Sequence, residues 1–237
     1  MTSVTDGSRR APDRVLILTG QFRKLEGMDS VVSARGLGVR TKRGWVFRDV
    51  DLDVGRGELV ALAGAAGSGR TSLLLALGGY FKTTHGTLDR PGRAALGYVP
   101  RVTDPEPNLT VAEHLEERLI LSGGSWWRRP KQRRSTAIDR LQGYFECPST
   151  MGRDLTTLER HLLGLAQARV TDPDLILVDD TDPGLSTVER DRLWVELRAL
   201  ADAGTAVVAA CREEHGSAAL DGRARPADTV FTLEKLR

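Results

Sequence analysis

The chain has 237 residues, room for one large domain or two small ones at about 150 residues per domain, and it can build a core without disulfide or metal staples. Hydrophobic residues make up 40% and charged residues 28%, which excludes a wholly disordered chain and a membrane bundle. A net charge of +2 is too small to predict binding to nucleic acid or to an anionic membrane from bulk electrostatics.

Residues 1–30 read as an amino-terminal extension. Its polar start carries Arg9, Arg10 and Arg14, and the apolar run Val15–Leu18 is too short for a signal-peptide core. One strand is expected there, around Val15–Thr19. No stretch reaches the roughly 18 apolar residues of a spanning helix, so a membrane role would need another chain to supply the spanning part. Cys147 and Cys211 are far apart and outside any C-x-x-C pattern. They predict neither a zinc site nor a disulfide framework, and a reducing cytosol is the default.

From Val31 to Val54 short apolar stretches are broken by turn residues, and Val50-Asp51-Leu52-Asp53-Val54 alternates with the period of a half-buried strand. Gly55-Arg56-Gly57 turns the chain into the apolar run Leu59–Ala63, suited to a buried strand. A glycine-rich loop, Gly64 to Gly69, precedes a helix over Thr71–Leu77 that Gly78-Gly79 stops. Ala94–Val99 is a further strand. Thr110 caps a helix running to Leu121, with Glu113 completing a capping-box pattern. Helices are expected over Lys131–Phe145, Leu155–Val170 and Val188–Ala201, and strands over Leu175–Val178, Ala206–Ala210 and Thr229–Leu233. Alternating strands and helices imply an α/β fold with a largely parallel sheet; antiparallel strands cluster early, and a helical block interrupts the alternation.

The most informative stretch is Gly64-Ala65-Ala66-Gly67-Ser68-Gly69-Arg70-Thr71-Ser72. It departs from G-x-x-x-x-G-K-[ST] only at Arg70, and it sits between an apolar strand and a helix, as that motif must. Glycines at 67 and 69 let the backbone curl so that N–H groups converge on an anion. The helix start adds its positive dipole end, and Thr71 supplies a hydroxyl for Mg²⁺. A bare strand-to-helix turn is the alternative. Arg70 keeps the lysine's charge but is longer and planar; with only five lysines among 34 basic residues, the chain prefers arginine throughout.

With these residues in place the chain resembles the nucleotide-binding subunit of ATP-binding cassette (ABC) transporters, from about Val31 to the carboxyl terminus. The segment order agrees: phosphate loop, Gly97-Tyr98-Val99-Pro100, the Leu109-Thr110-Val111-x-Glu113-x-Leu115 helix, a helical block, an aspartate motif and terminal strands. The resemblance implies a P-loop NTPase fold over 31–237 with a helical subdomain at about 108–170. It also implies ATP and Mg²⁺ as ligands, a second cassette as dimer partner, and a separate transmembrane subunit that places the chain peripherally on the inner face of the cell membrane. Asp179, ending the run Leu175–Val178, matches the family's Walker B aspartate and with Thr71 would hold the metal; the alternative is an aspartate-rich turn with Asp172, Asp174, Asp180 and Asp182 nearby.

Other positions depart from that family. Its catalytic glutamate is Asp180 here, one methylene shorter; its γ-phosphate-sensing glutamine is Arg101; and its switch histidine is Cys211, with His215 four residues on. The signature Leu-Ser-Gly-Gly-Gln reads Leu155-Thr156-Thr157-Leu158-Glu159, and the loop after the Walker B strand reads Pro183-Gly184-Leu185-Ser186. Thr157 and Leu158 replace glycines that would let amides approach a phosphate, and Glu159 brings negative charge toward it. Thr41 stands where an aromatic ring would stack on adenine, and Trp45 reads as a hairpin packing residue. Expected, therefore, is an ATP-binding subunit with weak or absent hydrolysis; a nucleotide-independent, cassette-shaped scaffold is the alternative. The run Trp126-Trp127-Arg128-Arg129-Pro130-Lys131-Gln132-Arg133-Arg134 could be a solvated loop, a membrane-facing patch or a stacking surface, with no nucleic-acid role expected.

Overall fold

The computed structural model describes residues 30–90, 92–122, 148–212 and 227–236. The expected strand at Val15–Thr19, the helix at 131–145, the aromatic–basic run at 126–134 and His215 lie outside the described residues. Two strands open the fold, β1 (Ser30–Thr41) and β2 (Gly44–Gly55), paired antiparallel. Thr41 Oγ1 closes their hairpin, donating to Gly44 O at 3.1 Å and accepting from Arg43 N at 3.2 Å. The apolar stretches that looked separate in the sequence belong to two long strands whose register shifts between Ala34 and Leu37 and again beyond Leu37. Such bulges interrupt the alternation while keeping the strand continuous.

A third strand, β4 (His85–Asp89), adds to the free edge of β1. It escapes sequence reading because most of its side chains are exposed. The Trp45 ring meets the His85 ring at a tilt of 55° with centroids 4.6 Å apart, and the Arg40 guanidinium lies 5.5 Å from its ring. The tryptophan thus joins all three strands as a packing residue, as expected.

The second sheet is wholly parallel, in the order β5–β6–β7–β3–β8. Its members are β3 (Leu59–Ala63), β5 (Ala94–Leu96), β6 (Leu175–Val178), β7 (Ala206–Cys211) and β8 (Thr229–Thr232). Strands covered on both faces read as continuous apolar runs, which is why β3, β6 and β7 were visible in the sequence. β5 is shorter than Ala94–Val99, because Thr103 Oγ1 accepts from Val99 N and donates to Gly97 O, both at 2.8 Å, turning the chain out of the sheet.

Alternation divides the core between the sheet's two faces. Val60, Leu62, Leu175, Leu177 and Val208 pack against α1 (Arg70–Leu77) and the inner side of the antiparallel sheet. Leu59, Ala61, Ile176, Val178 and Val207 pack against α3 (Thr157–Arg169) and α4 (Thr187–Asp202). Eight residues of helix are marginal alone; α1 persists because Leu73, Leu74 and Leu77 are fully buried, each contributing about 1.5–3 kcal/mol. The remaining helix, α2 (Val111–Leu121), rests on α3 through Val111, Leu115, Leu163 and Ala166.

Three of the described helices start with a capping box. In α2 it is Thr110 with Glu113, as expected; in α3 Thr156 with Glu159; in α4 Ser186 with Glu189. The backbone N–H and hydroxyl of Thr110 hold Glu113 below the usual carboxylate range, and Ser186 does the same for Glu189. The α3 box moves that helix's start to Thr157, two residues later than expected, after a 3₁₀ turn at Gly152–Asp154. At the far edge, Arg198 Nη1 donates to Asp228 Oδ2 at 2.6 Å, and the same oxygen accepts from Leu59 N at 2.8 Å. This anchors the start of β8 against β3.

Helix α3 approaches the β5 end closely: a Cβ on Gly164 would lie 2.5 Å from Tyr98 N. Gly164→Ala should therefore destabilise the fold by about 1–3 kcal/mol, read as a lower urea midpoint. One turn earlier, His161 is fully buried with its ring edge-on to Tyr98, centroids 4.9 Å apart. Burial lowers its pKa from 6.5 to about 4, outweighing a smaller opposing effect of the Asp180 backbone. The unfolded chain therefore takes up this proton first, and stability should fall as pH drops from 6.5 toward 4, by at most about 1.4 kcal/mol per pH unit. His161→Leu should lack this component when chemical denaturation is repeated across the pH window.

Candidate functional site

Parallel pairing places the ends of β3, β7 and β6 side by side, with Ala63 opposite Cys211 and Val178 opposite Ala209. The segments that follow them form the site. After β3 the chain turns through Gly64, Ala65, Ala66, Gly67, Ser68 and Gly69. Gly67 at φ +79° and Gly69 at φ +97° occupy the left-handed region that glycine enters without strain. Crowding adds to the requirement at Gly69, where a Cβ would lie 2.5 Å from Val46 O. Ser68 N donates to Ala65 O at 3.1 Å and tightens the bend.

The loop leads into α1 with Gly69 as N-cap, no side-chain cap and no acidic residue in the first turn. Its first amides thus keep their donor capacity. Ser68 Oγ is buried and has no hydrogen-bond partner, an uncommon state for an interior hydroxyl. Ala65, Ala66 and Gly67 are exposed, Arg70 and Ser72 are half-buried and Thr71 is exposed.

Thr71 and Asp179, predicted from separate motifs, meet directly: Thr71 Oγ1 donates to Asp179 Oδ2 at 2.6 Å. Asp179 is 2% exposed. Burial pushes its carboxyl above the ordinary value, and the Thr71 hydrogen bond opposes that shift. Hard oxygen donors at a buried carboxylate suit Mg²⁺, which takes one or two carboxylates and completes its shell with phosphate and water oxygens. No group of three or more His, Cys, Asp or Glu is gathered for a metal among the described residues, so any such ion would depend on a phosphate ligand.

Arg70 takes a different course from a phosphate-facing lysine. Its guanidinium donates to the backbone carbonyl of Cys211, at the end of β7. Cys211 itself is buried, and desolvation pushes its thiol up to about 12, so it stays protonated. Asp180 has φ +49° and its N–H donates to Asp179 Oδ1 at 2.9 Å. Arg101 is exposed with φ +66°, held by donation of its N–H to Asp104 Oδ2 at 3.0 Å. Tyr98 OH donates to Asp104 Oδ1 at 3.1 Å, so Asp104 organises this loop.

The Glu159 carboxylate, which the resemblance to the family places near a phosphate, accepts from Thr156 N and Oγ1 at 2.8 Å each. The S/T-x-x-E spacing at 156–159 carries the signal for this capping box. Beside it, a Cβ on Gly184 would lie 3.1 Å from Thr157 Oγ1, so the 183–186 loop packs on the start of α3. Unforeseen too is the carboxyl-terminal segment: Leu233 N donates to Ala63 O at 2.8 Å, and Lys235 lies over Gly67.

A family model described as ABC transporter matches residues 47–182, from early in β2 through both aspartates. The ribose import ATP-binding protein RbsA of Yersinia pestis is 31% identical over 176 residues, covering 68% of this chain and 34% of that protein. The chain thus spans about a third of the length of the first curated relatives it matches. The lipoprotein-releasing system ATP-binding protein LolD 1 of Caulobacter vibrioides is 27% identical over 217 residues, 83% of this chain and 92% of that one. Among solved structures, an ATP-binding cassette in its ADP conformation superposes with a TM-score of 0.70 at 13% identity, covering 88% of this chain and 90% of that chain. A dimeric, post-hydrolysis cassette bound to ADP and Pi gives 0.69 at 19%, covering 87% and 97%. These likenesses agree with the parallel and antiparallel sheets described above. Since the family model spans more than half of the residues and includes the glycine loop and both aspartates, the chain belongs to the ABC transporter family.

Proposed function

We propose that this chain is the ATP-binding subunit of a membrane transport system, binding Mg-ATP and hydrolysing it weakly or not at all at its own site. The observation that carries the reading is the 2.6 Å contact between Thr71 Oγ1 and Asp179 Oδ2 at the edge of a glycine loop whose helix start is uncapped. Relatives named as import or release ATP-binding proteins support the subunit role. No helix among the described residues is long and apolar enough to cross a membrane. A separate transmembrane subunit and a second cassette are the proposed partners, with the chain on the cytoplasmic face.

In this reading the free amides of the 64–69 loop donate to the phosphates, the start of α1 adds its dipole, and Thr71 and Ser72 present hydroxyls. Thr71 Oγ1 and Asp179 would hold Mg²⁺, which supplies charge neutralisation on the phosphates when bound. Asp180 is the proposed base, and its short side chain on a left-handed backbone is poorly matched to a water that a glutamate would reach. Glu159 occupies the α3 start with the chain's own carboxylate, so that terminus offers little to a phosphate on a partner cassette.

Isothermal titration tests binding. Mg-ATP should bind, and Asp179→Asn should weaken it about tenfold or more while leaving Mg-free ATP unchanged. No binding at millimolar Mg-ATP would favour the nucleotide-independent scaffold. Turnover should stay below about 1 s⁻¹, the low end of ordinary enzymes, and change little in Asp180→Asn. Faster hydrolysis that collapses in that variant would overturn the weak-catalysis claim.

A further inference from the structure

The phosphate loop has two basic side chains close to it, and their placement differs in kind. Arg70, in the motif's lysine position, is tied to the Cys211 carbonyl. Lys235 arrives from the other end of the chain. Parallel pairing runs Ala61 with Val230, Leu62 with Phe231 and Ala63 with Thr232, and Leu233 N continues the ladder to Ala63 O. The Leu233 carbonyl then packs on Gly64, where a Cβ would come within 2.5 Å of it. Two residues later the lysine overhangs the bend. A Cβ at Gly67 would lie 3.8 Å from Lys235 Cε and 3.9 Å from Nζ, and it would meet nothing else within 4 Å.

The ammonium and the backbone N–H groups of the bend both attract anions, and the lysine sits beside the bend. Among the described residues no carboxylate pairs with Lys235. A second feature points to the same ligand: Ser68 Oγ, inside the bend, is 1% exposed and without a partner. Lys235 is exposed, so its compact, flexible ammonium is free to reach a phosphate oxygen.

We propose that Lys235 contacts the nucleotide's phosphates and serves as the loop's phosphate-binding cation, in place of Arg70. The assignment rests on the Mg-ATP reading above and adds a residue that lies outside the glycine motif. It makes the carboxyl-terminal segment part of the ligand site: β8 holds the lysine in position, and nucleotide binding in turn orders that segment over the loop.

The test is Mg-ATP titration of the full chain, wild type beside Lys235→Ala, Lys235→Arg and Arg70→Ala, with adenosine as a phosphate-free probe and melting temperature as a check on folding. Expected is a roughly ten- to hundredfold loss of Mg-ATP affinity in Lys235→Ala, the scale of one charge-assisted hydrogen bond. Lys235→Arg should recover part of it, Arg70→Ala should lose less than Lys235→Ala, and melting temperature and any adenosine binding should not change with Lys235. If wild type binds Mg-ATP and Lys235→Ala binds equally well, or if Arg70→Ala is the more damaging, the Lys235 assignment is wrong and the nucleotide reading stands. If wild type does not bind Mg-ATP at all, both are overturned.

Discussion

The parallel register of β6, β7 and β3, with Val178 opposite Ala209 and Ala63 opposite Cys211, is the constraint on which the site depends. Strands paired this way all end at one edge, and loops that are distant in sequence emerge together there. The ladder brings Thr71 within 2.6 Å of Asp179 across 108 positions, and it brings Arg70 to the Cys211 carbonyl across 141. Further bonds fix the edge itself. Asp179 N donates to Tyr98 O at 3.0 Å, Thr181 N to Ala210 O at 3.1 Å and Arg212 N to Asp182 Oδ2 at 2.5 Å. Any change in strand order would separate these groups.

Charge at helix starts divides the molecule functionally. Every helix leaves its first amides unpaired. In α2, α3 and α4 a Thr or Ser with a Glu three residues on engages two of these groups, the N-cap and N3 amides, and α1 has neither. The α1 start is also the one preceded by left-handed glycines at 67 and 69 and by the buried Ser68 hydroxyl. Among the described helices, α1 alone starts with neither a side-chain cap nor an acidic residue in its first turn. At α3, where the family resemblance would put an approach to a second nucleotide, the amides of Thr156 and Glu159 are bonded internally and the Glu159 carboxylate sits at the helix start. The proposed split between binding and hydrolysis follows from that contrast, together with the strained, short-armed Asp180.

Much of this was legible in the chain's order of residues. Continuous apolar runs mark β3, β6 and β7 because a parallel sheet covered on both faces tolerates little polarity there. The glycine spacing from 64 to 69, Thr71 and the strand-ending Asp179 mark the loop and its aspartate because local backbone geometry demands those residue types. Less legible were the bulged strands β1 and β2, whose irregular register mimics a series of short pieces, and β4, most of whose side chains are exposed.

Local chemistry is written in the sequence, since turns, caps and buried strands depend on neighbours a few positions away. The course of the Arg70 guanidinium toward β7 and the arrival of Lys235 above Gly67 were decided by tertiary structure. Both are contacts between segments more than a hundred positions apart, created by strand pairing that no local pattern encodes.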